Sequence, residues 1–174
     1  LNGLPILYSH DTDYMNATIG DVYGQIILGN VTNLILSGID MNGVLYPMIV
    51  TYCSRIRIDD VDIRETLTGI RTSNCDHLEI SNSKFSNSAI NGIYLTRTEH
   101  SLIKDNSFDK SSVGIWVGYY CRSVNVIDNS VSNSSSFGII LSDRIMDCLV
   151  VGNYLTDNEI GIYMTDYDME RNRV

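Results

Sequence analysis

The chain has 174 residues, 44% of them apolar and only 2 of them proline, so it suits one domain, or part of one, with a buried core. Its 21 acidic against 12 basic residues leave a net charge of -9, which argues against nucleic acid as a partner, because neutralising phosphates needs clustered Lys and Arg. No run approaches the roughly 18 apolar residues of a membrane span.

In chain order, residues 1–22 stand apart: they keep no regular beat and carry Pro5, which stops ladder pairing. They are expected to form an N-terminal cap and entry segment. The charged-then-apolar run of a signal peptide is missing there, and a start at Leu1 suggests a processed or excised segment.

From residue 23 onward the chain repeats. Gly69-Ile70, Gly92-Ile93, Gly114-Ile115, Gly138-Ile139 and Gly161-Ile162 recur at steps of 23, 22, 24 and 23. A second column keeps the same beat through Met41, Ile63, Phe85, Phe108, Val131 and Leu155. Within each repeat, short alternating runs such as Arg55-Ile56-Arg57-Ile58 and Leu78-Glu79-Ile80 read as strands. Turn clusters such as Ser81-Asn82-Ser83 and Asp105-Asn106-Ser107 separate them. No window carries sustained helical amphipathicity with caps. These features predict an all-β solenoid: a right-handed parallel β-helix of about 6–7 coils of 22–24 residues over 23–174.

Stacking the coils turns the repeat into columns. Ile70, Ile93, Ile115, Ile139 and Ile162 are expected to form one inward stack, and Val50, Leu95, Val117, Leu141 and Met164 a second. Asn106, Asn129 and Asn153, above Ser83, fall together at a turn, where Asn suits left-handed backbone and stacked amides can bond along the ladder. Cys53, Cys75 and Cys121 share a column with Thr98 and read as free, buried thiols; a Cys53–Cys75 disulfide across coils requires strained geometry. With Cys148 they form no C-x-x-C pair, so zinc is not expected.

The unit Ile-x-x-Asn-x-Phe, then a loop, then Gly-Ile-x-Leu, holds over residues 48–166 and resembles the carbohydrate-binding and sugar-hydrolysis repeats of the pectin-lyase-like superfamily. At the N-terminal end, Asn2-Gly3-Leu4-Pro5-Ile6-Leu7-Tyr8, Gly24-Gln25-Ile26-Ile27-Leu28 and Asn33-Leu34-Ile35-Leu36-Ser37-Gly38 resemble the entry segment of NosD-like β-helix domains. The resemblance implies the fold and an extracytoplasmic location, whether secreted, periplasmic or at the cell surface. It leaves function open, since this fold hosts lyases, hydrolases, epimerases, adhesins and phage spikes.

Function is therefore sought on the outward columns. Arg71, Tyr94, Trp116, Ile140 and Tyr163 form one, and Asn74, Arg97, Tyr119, Asp143 and Asp166 lie beside it. Aromatic faces stack on sugar rings while polar neighbours bond hydroxyls, so Arg71, Tyr94, Arg97, Trp116, Tyr119 and Tyr163 are the candidate glycan contacts. The competing reading is that this stripe is an ordinary sheet face or packs on another chain. For catalysis, Asp143 and Asp166 are the carboxylate candidates, with Arg97 binding an acidic sugar. The polygalacturonase signatures Asn-Thr-Asp, Gly-His-Gly and Arg-Ile-Lys are absent, as is the epimerase Asp-Pro-His, which favours solvated turn acids and a chain without its own catalysis. Asp40, Asp59, Asp60 and Asp62 could gather calcium but read as surface charge.

The link of NosD-like domains to copper-site maturation directs attention to His10, His77 and His100. His77 and His100 fall in neighbouring coils near a turn, yet two scattered imidazoles without a Met-x-x-Met array are thin grounds for a metal, and neither metal nor cofactor is expected. The reading is an extracytoplasmic module for glycan binding or surface assembly, with a polysaccharide as partner. Its rivals are a polysaccharide lyase or hydrolase acting on the aromatic face, and a copper-maturation accessory. The segment after Met164 shows no polar cap, so further coils beyond 174 or self-association at that end are expected.

Overall fold

The computed structural model describes residues 3–20, 23–165 and 170–174, and within them the chain is a right-handed parallel β-helix of about seven turns without helices. Two long strands lead, β1 (Ile6–Ile19) and β2 (Gln25–Ser37), followed by the short β3 (Asp40–Asn42). Each later coil is built from three strands. These are β4 (Met48–Thr51), β5 (Ser54–Asp59) and β6 (Asp62–Arg64), then β7 (Thr68–Ser73), β8 (Asp76–Ser81) and β9 (Lys84–Ser86). Next come β10 (Asn91–Thr96), β11 (Leu102–Lys104) and β12 (Ser107–Asp109), then β13 (Val113–Gly118), β14 (Asn125–Ile127) and β15 (Ser130–Ser132). The last are β16 (Phe137–Ser142), β17 (Leu149–Val151), β18 (Tyr154–Thr156) and β19 (Ile160–Thr165).

The strands stack into three faces. The first runs from β2 through β4, β7, β10, β13 and β16 to β19; the second from β2 through β5, β8, β11 and β14 to β17. The third runs β3-β6-β9-β12-β15-β18. Strand β2 turns the corner between the first two faces unbroken, which joins them into one hydrogen-bonded path. Ile6–Ile19 pairs in parallel on β2, with a register shift between Asp13 and Ala17, and most of its residues are exposed. At the other end Glu170 bridges Met146 and Arg173 bridges Leu149. Among the described residues no helix is long and apolar enough to cross a membrane.

Inward columns make the core. Ile26, Met48, Ile70, Ile93, Ile115 and Ile139 stack in register and fully buried. On the third face Met41, Ile63, Phe85, Phe108 and Val131 do the same. The rings of Phe85 and Phe108 lie 4.8 Å apart and 9° from parallel, which is the spacing of the ladder itself. That column explains the Gly-Ile motif. A Cβ on Gly92 would lie 2.5 Å from the Phe108 ring and 2.7 Å from the carbonyl of Gly114 in the next coil. In the second expected stack, Met164 is 45% exposed, because no described coil covers it.

The asparagine column exists and its amides bond along the ladder as expected, Asn106 Nδ2 donating to Asn129 Oδ1 and Asn129 Nδ2 to Asn153 Oδ1, each at 3.0 Å. The asparagines are not, however, the left-handed residues. The left-handed residues at the corner between second and third faces are Asp105, Asp128 and Gly152, one position before Asn106, Asn129 and Asn153. The asparagines also serve the buried backbone. The Asn129 amide oxygen accepts from the backbone N–H of Asn106 at 3.0 Å, and its Nδ2 donates to the Ile103 carbonyl at 3.0 Å. Asn106 likewise accepts from the Ser83 N–H, and Asn153 from that of Asn129. Each amide pairs backbone groups that a buried turn would otherwise leave without partners. All four cysteines are free and buried, and no disulfide joins Cys53 to Cys75.

Candidate functional site

The outward row of the first face follows the ladder register without a break, from Ile49 through Arg71, Tyr94, Trp116 and Ile140 to Tyr163. The Arg71 guanidinium lies 5.9 Å from the centre of the Tyr94 ring, and Tyr94 and Trp116 are 5.0 Å apart at a tilt of 55°. Trp116 Nε1 donates to Ser142 Oγ at 2.8 Å, which fixes the indole plane. Arg71 and Tyr163 are exposed, whereas Tyr94 and Trp116 are partly buried. Burial pushes the Tyr94 phenol above its ordinary value, and nearby Tyr119 adds to the effect. Ile140, expected to face solvent, is only 6% exposed, so the open stripe is interrupted between Trp116 and Tyr163. Tyr163 packs against Phe137, ring centres 4.8 Å apart.

Beside this row runs the corner between first and second faces. Asn74, Arg97, Tyr119 and Asp143 line it as expected, all with left-handed backbone. Two residues that the column reading missed join them. Asn74 and Arg97 each turn their coil alone, but the next two coils place left-handed pairs there, Tyr119–Tyr120 and Asp143–Arg144. The inserted Tyr120 ring is sandwiched, with the Arg97 guanidinium 6.0 Å from its centre and that of Arg144 5.4 Å away. Arg144 Nη1 also donates to the Tyr120 hydroxyl at 2.7 Å. Shallow hollows flank this ring, one of about 400 Å³ lined by Asn74, Asp76, Arg97 and Glu99, the other of about 260 Å³ lined by Tyr119, Asp143 and Arg144. The sequence carried a signal for the insertion: the step from Gly114 to Gly138 is 24 where the one before it is 22, and one of those two extra residues is Tyr120.

Of the catalytic candidates, Asp143 lies in the second hollow and Arg97 stacks on Tyr120, while Asp166 lies outside the described residues. The expected acidic cluster holds its own cations. Arg64 bonds both Asp40, at 2.6 Å, and Asp62, at 3.0 Å, and Asp59 is held low by Asn82 and Ser81 with Arg57 close by.

The same corner gathers metal-ligating side chains. His77 and His100 occupy equivalent left-handed positions at the start of the second face, their rings stacked 5.3 Å apart. Asp76 lies between them: one oxygen is 2.8 Å from His77 Nδ1 and the other 2.9 Å from His100 Nδ1. Burial alone would raise the Asp76 pKa, but the hydrogen bonds from His100 and His77 outweigh it and hold the carboxyl below its usual range. No cysteine joins this donor group: all four are buried, and only Cys53 is held below its ordinary value, by its hydrogen bond with Cys75. The neighbouring Cys53 thiol together with burial pushes Cys75 up, and burial pushes Cys121 up to about 12.

A family model described as "Periplasmic copper-binding protein (NosD)" matches residues 2–174. Comparison with curated proteins gives no match. Among solved structures, a double mutant of the periplasmic alginate epimerase AlgG aligns with a TM-score of 0.69 at 13% identity, over 93% of this chain and 47% of that one. A mutant tailspike of E. coli bacteriophage HK620 in complex with pentasaccharide aligns at 0.67 and 13%, over 96% and 37%. A hyperthermoactive exopolygalacturonase from Thermotoga maritima aligns at 0.59 and 14%, over 85% and 42%. The chain therefore spans less than half the length of these neighbours, and the likeness is one of fold. Copper, which the family description implies, meets one fitting donor set among the described residues: the two imidazoles and the carboxylate of Asp76, His77 and His100.

Proposed function

The chain belongs to the periplasmic copper-binding (NosD) family, and from that premise we propose that this β-helix is an extracytoplasmic module that holds an acidic polysaccharide along its first face and first corner without cleaving it. One observation carries the reading. Arg71, Tyr94 and Trp116 run in register into Tyr119 and Tyr120, so several aromatic platforms lie within one surface strip that also carries Arg71, Arg97 and Arg144. Ring faces fixed by the ladder lose little entropy when a sugar stacks on them, and guanidiniums pair with uronate carboxylates. Asp76, Glu99 and Asp143 line the flanking hollows, so the three arginines offer a uronate individual charge-assisted contacts within the strip and not a broad basic patch. Further support comes from the fold neighbours, one captured with a pentasaccharide and another an alginate epimerase.

Affinity electrophoresis and calorimetry with alginate, polygalacturonate and a neutral glucan test the reading. The parent protein should be retarded by the uronates more than by the glucan. Tyr94→Ala with Trp116→Ala should weaken binding by more than about tenfold, since each lost stacking platform is worth roughly 1 kcal/mol. Absence of retardation by every glycan would sink the proposal. Release of shortened or unsaturated products would replace it with the lyase or hydrolase reading.

A further inference from the structure

We propose that Asp76, His77 and His100 form a surface site for one divalent late transition-metal ion, with Cu(II) bound in preference to Zn(II). The donors are none of the rings or guanidiniums of the glycan strip, although Asp76 shares a hollow with Arg97 and Tyr120, and metal binding is read without any glycan present. The family description says copper; it assigns no residue, and the placement comes from the ladder.

The backbone brings these donors together. Asp76 pairs across the ladder with Glu99, which sets His77 beside His100 one coil on. Equivalent side chains on adjacent parallel coils stand about 4.8 Å apart, and the left-handed backbone at both positions projects the imidazoles the same way. The outcome is visible in the donor atoms: one from each residue, all within 4.8 Å of one another. Both imidazoles already address the one carboxylate through Nδ1, so a metal ion can take the place of the shared hydrogen bonds with small side-chain rotations. All three groups are accessible, with side chains 49% to 60% exposed, so entry needs no opening of the fold.

The donor set selects the ion. Two imidazole nitrogens and a carboxylate oxygen suit Cu(II), Ni(II) and Zn(II), and copper leads that order of affinity. Cu(I) prefers thiolate and thioether, and the gathered donors are two imidazoles and a carboxylate with no cysteine among them. Glu99, the ladder partner of Asp76, adds negative charge on the side of the hollow, which favours a dication over its removal. His10 has a carboxylate too, Asp11 at 2.7 Å, but no second imidazole, and makes the natural control.

Copper titration of untagged protein, followed by calorimetry and electron paramagnetic resonance, decides the matter. One equivalent of Cu(II) should bind per chain, with hyperfine splitting from two nitrogens. His77→Ala with His100→Ala should lose that binding, and Asp76→Asn should weaken it at least tenfold. His10→Ala should leave it unchanged. Because all four side chains are on the surface, thermal melting should be the same for every variant. Equal binding by the double variant, splitting from a single nitrogen, or loss of binding in His10→Ala would each overturn the site.

Discussion

Two corners of the same coil use left-handed backbone differently. Between the second and third faces, that conformation is taken by Gly38, Asp60, Asn82, Asp105, Asp128 and Gly152. Those are the residue types for which it costs least. Between the first and second faces Asn74 and Asp143 take it too, but so do Tyr52, Arg97, Tyr119, Tyr120 and Arg144, and then Arg55, His77, His100 and Arg171. A bulky side chain in that region costs roughly 1–2 kcal/mol and persists only where the surroundings impose it. Ladder bonds impose it here: the Arg97 N–H donates to the Tyr119 carbonyl at 2.9 Å, and the Tyr120 N–H to that of Asp143 at 3.0 Å. One corner is composed for folding. The other spends stability to hold rings, guanidiniums and imidazoles outward, and it is there that both proposed sites fall.

The largest expected effect breaks the folding corner. Asn129→Ala leaves the Asn106 N–H and the Ile103 carbonyl without side-chain partners in a buried turn, and should cost about 3 kcal/mol in urea unfolding. Uronate and copper binding per folded molecule should stay unchanged. A loss under about 0.5 kcal/mol would mean that the amide stack is ornamental and the comparison misplaced. A smaller effect, of opposite sign, is expected at the other corner. Tyr120→Gly removes a strained bulky residue together with its contacts to Arg97 and Arg144, so stability should be equal or higher by up to about 0.5 kcal/mol. Uronate binding should fall several-fold in the same variant. If instead stability drops by more than about 1 kcal/mol, on the scale of a lost packing contact, the ring is there for the fold.

The smallest effect is electrostatic and concerns Asp76. Its carboxyl is held below the ordinary range, so the linked stability is present above the unfolded-state pKa and is lost as pH falls through the folded value. Carbon-detected NMR titration should place its midpoint below that of an unperturbed aspartate, and His100→Ala should move it upward. A midpoint unmoved by that substitution would show that the imidazole does not hold the carboxylate. Solvent screening at so exposed a group keeps the contribution to folding slight.

Much of this molecule is legible in its residues. The steps of 22–24 determine a coil, and two independent apolar columns determine that the coils stack in parallel. Inward Ile70, Ile93 and Ile115, the Phe85–Phe108 stack, and the register that puts Arg71, Tyr94 and Trp116 in one outward row all come from that beat. The Asn column was legible as a column of bonded amides, though its backbone geometry was not: which of two adjacent turn residues is left-handed depends on where the backbone must find partners, and that is settled by the coil above.

Tertiary structure alone decided the rest. A period counts residues around a whole coil, so a step of 24 after one of 22 announces two inserted residues without saying where they sit. The ladder register puts one at Tyr120, between Arg97 and Arg144, and the other between Ser132 and Phe137. Outward direction was set by alternation, but exposure was not, and Ile140 is covered while Arg71 is open. The sequence by itself placed His77 and His100 one coil apart. That Asp76 binds both of them, one carboxylate oxygen to each, comes from a left-handed turn repeated at the spacing of the ladder, a property of stacked backbones and of no single stretch of chain.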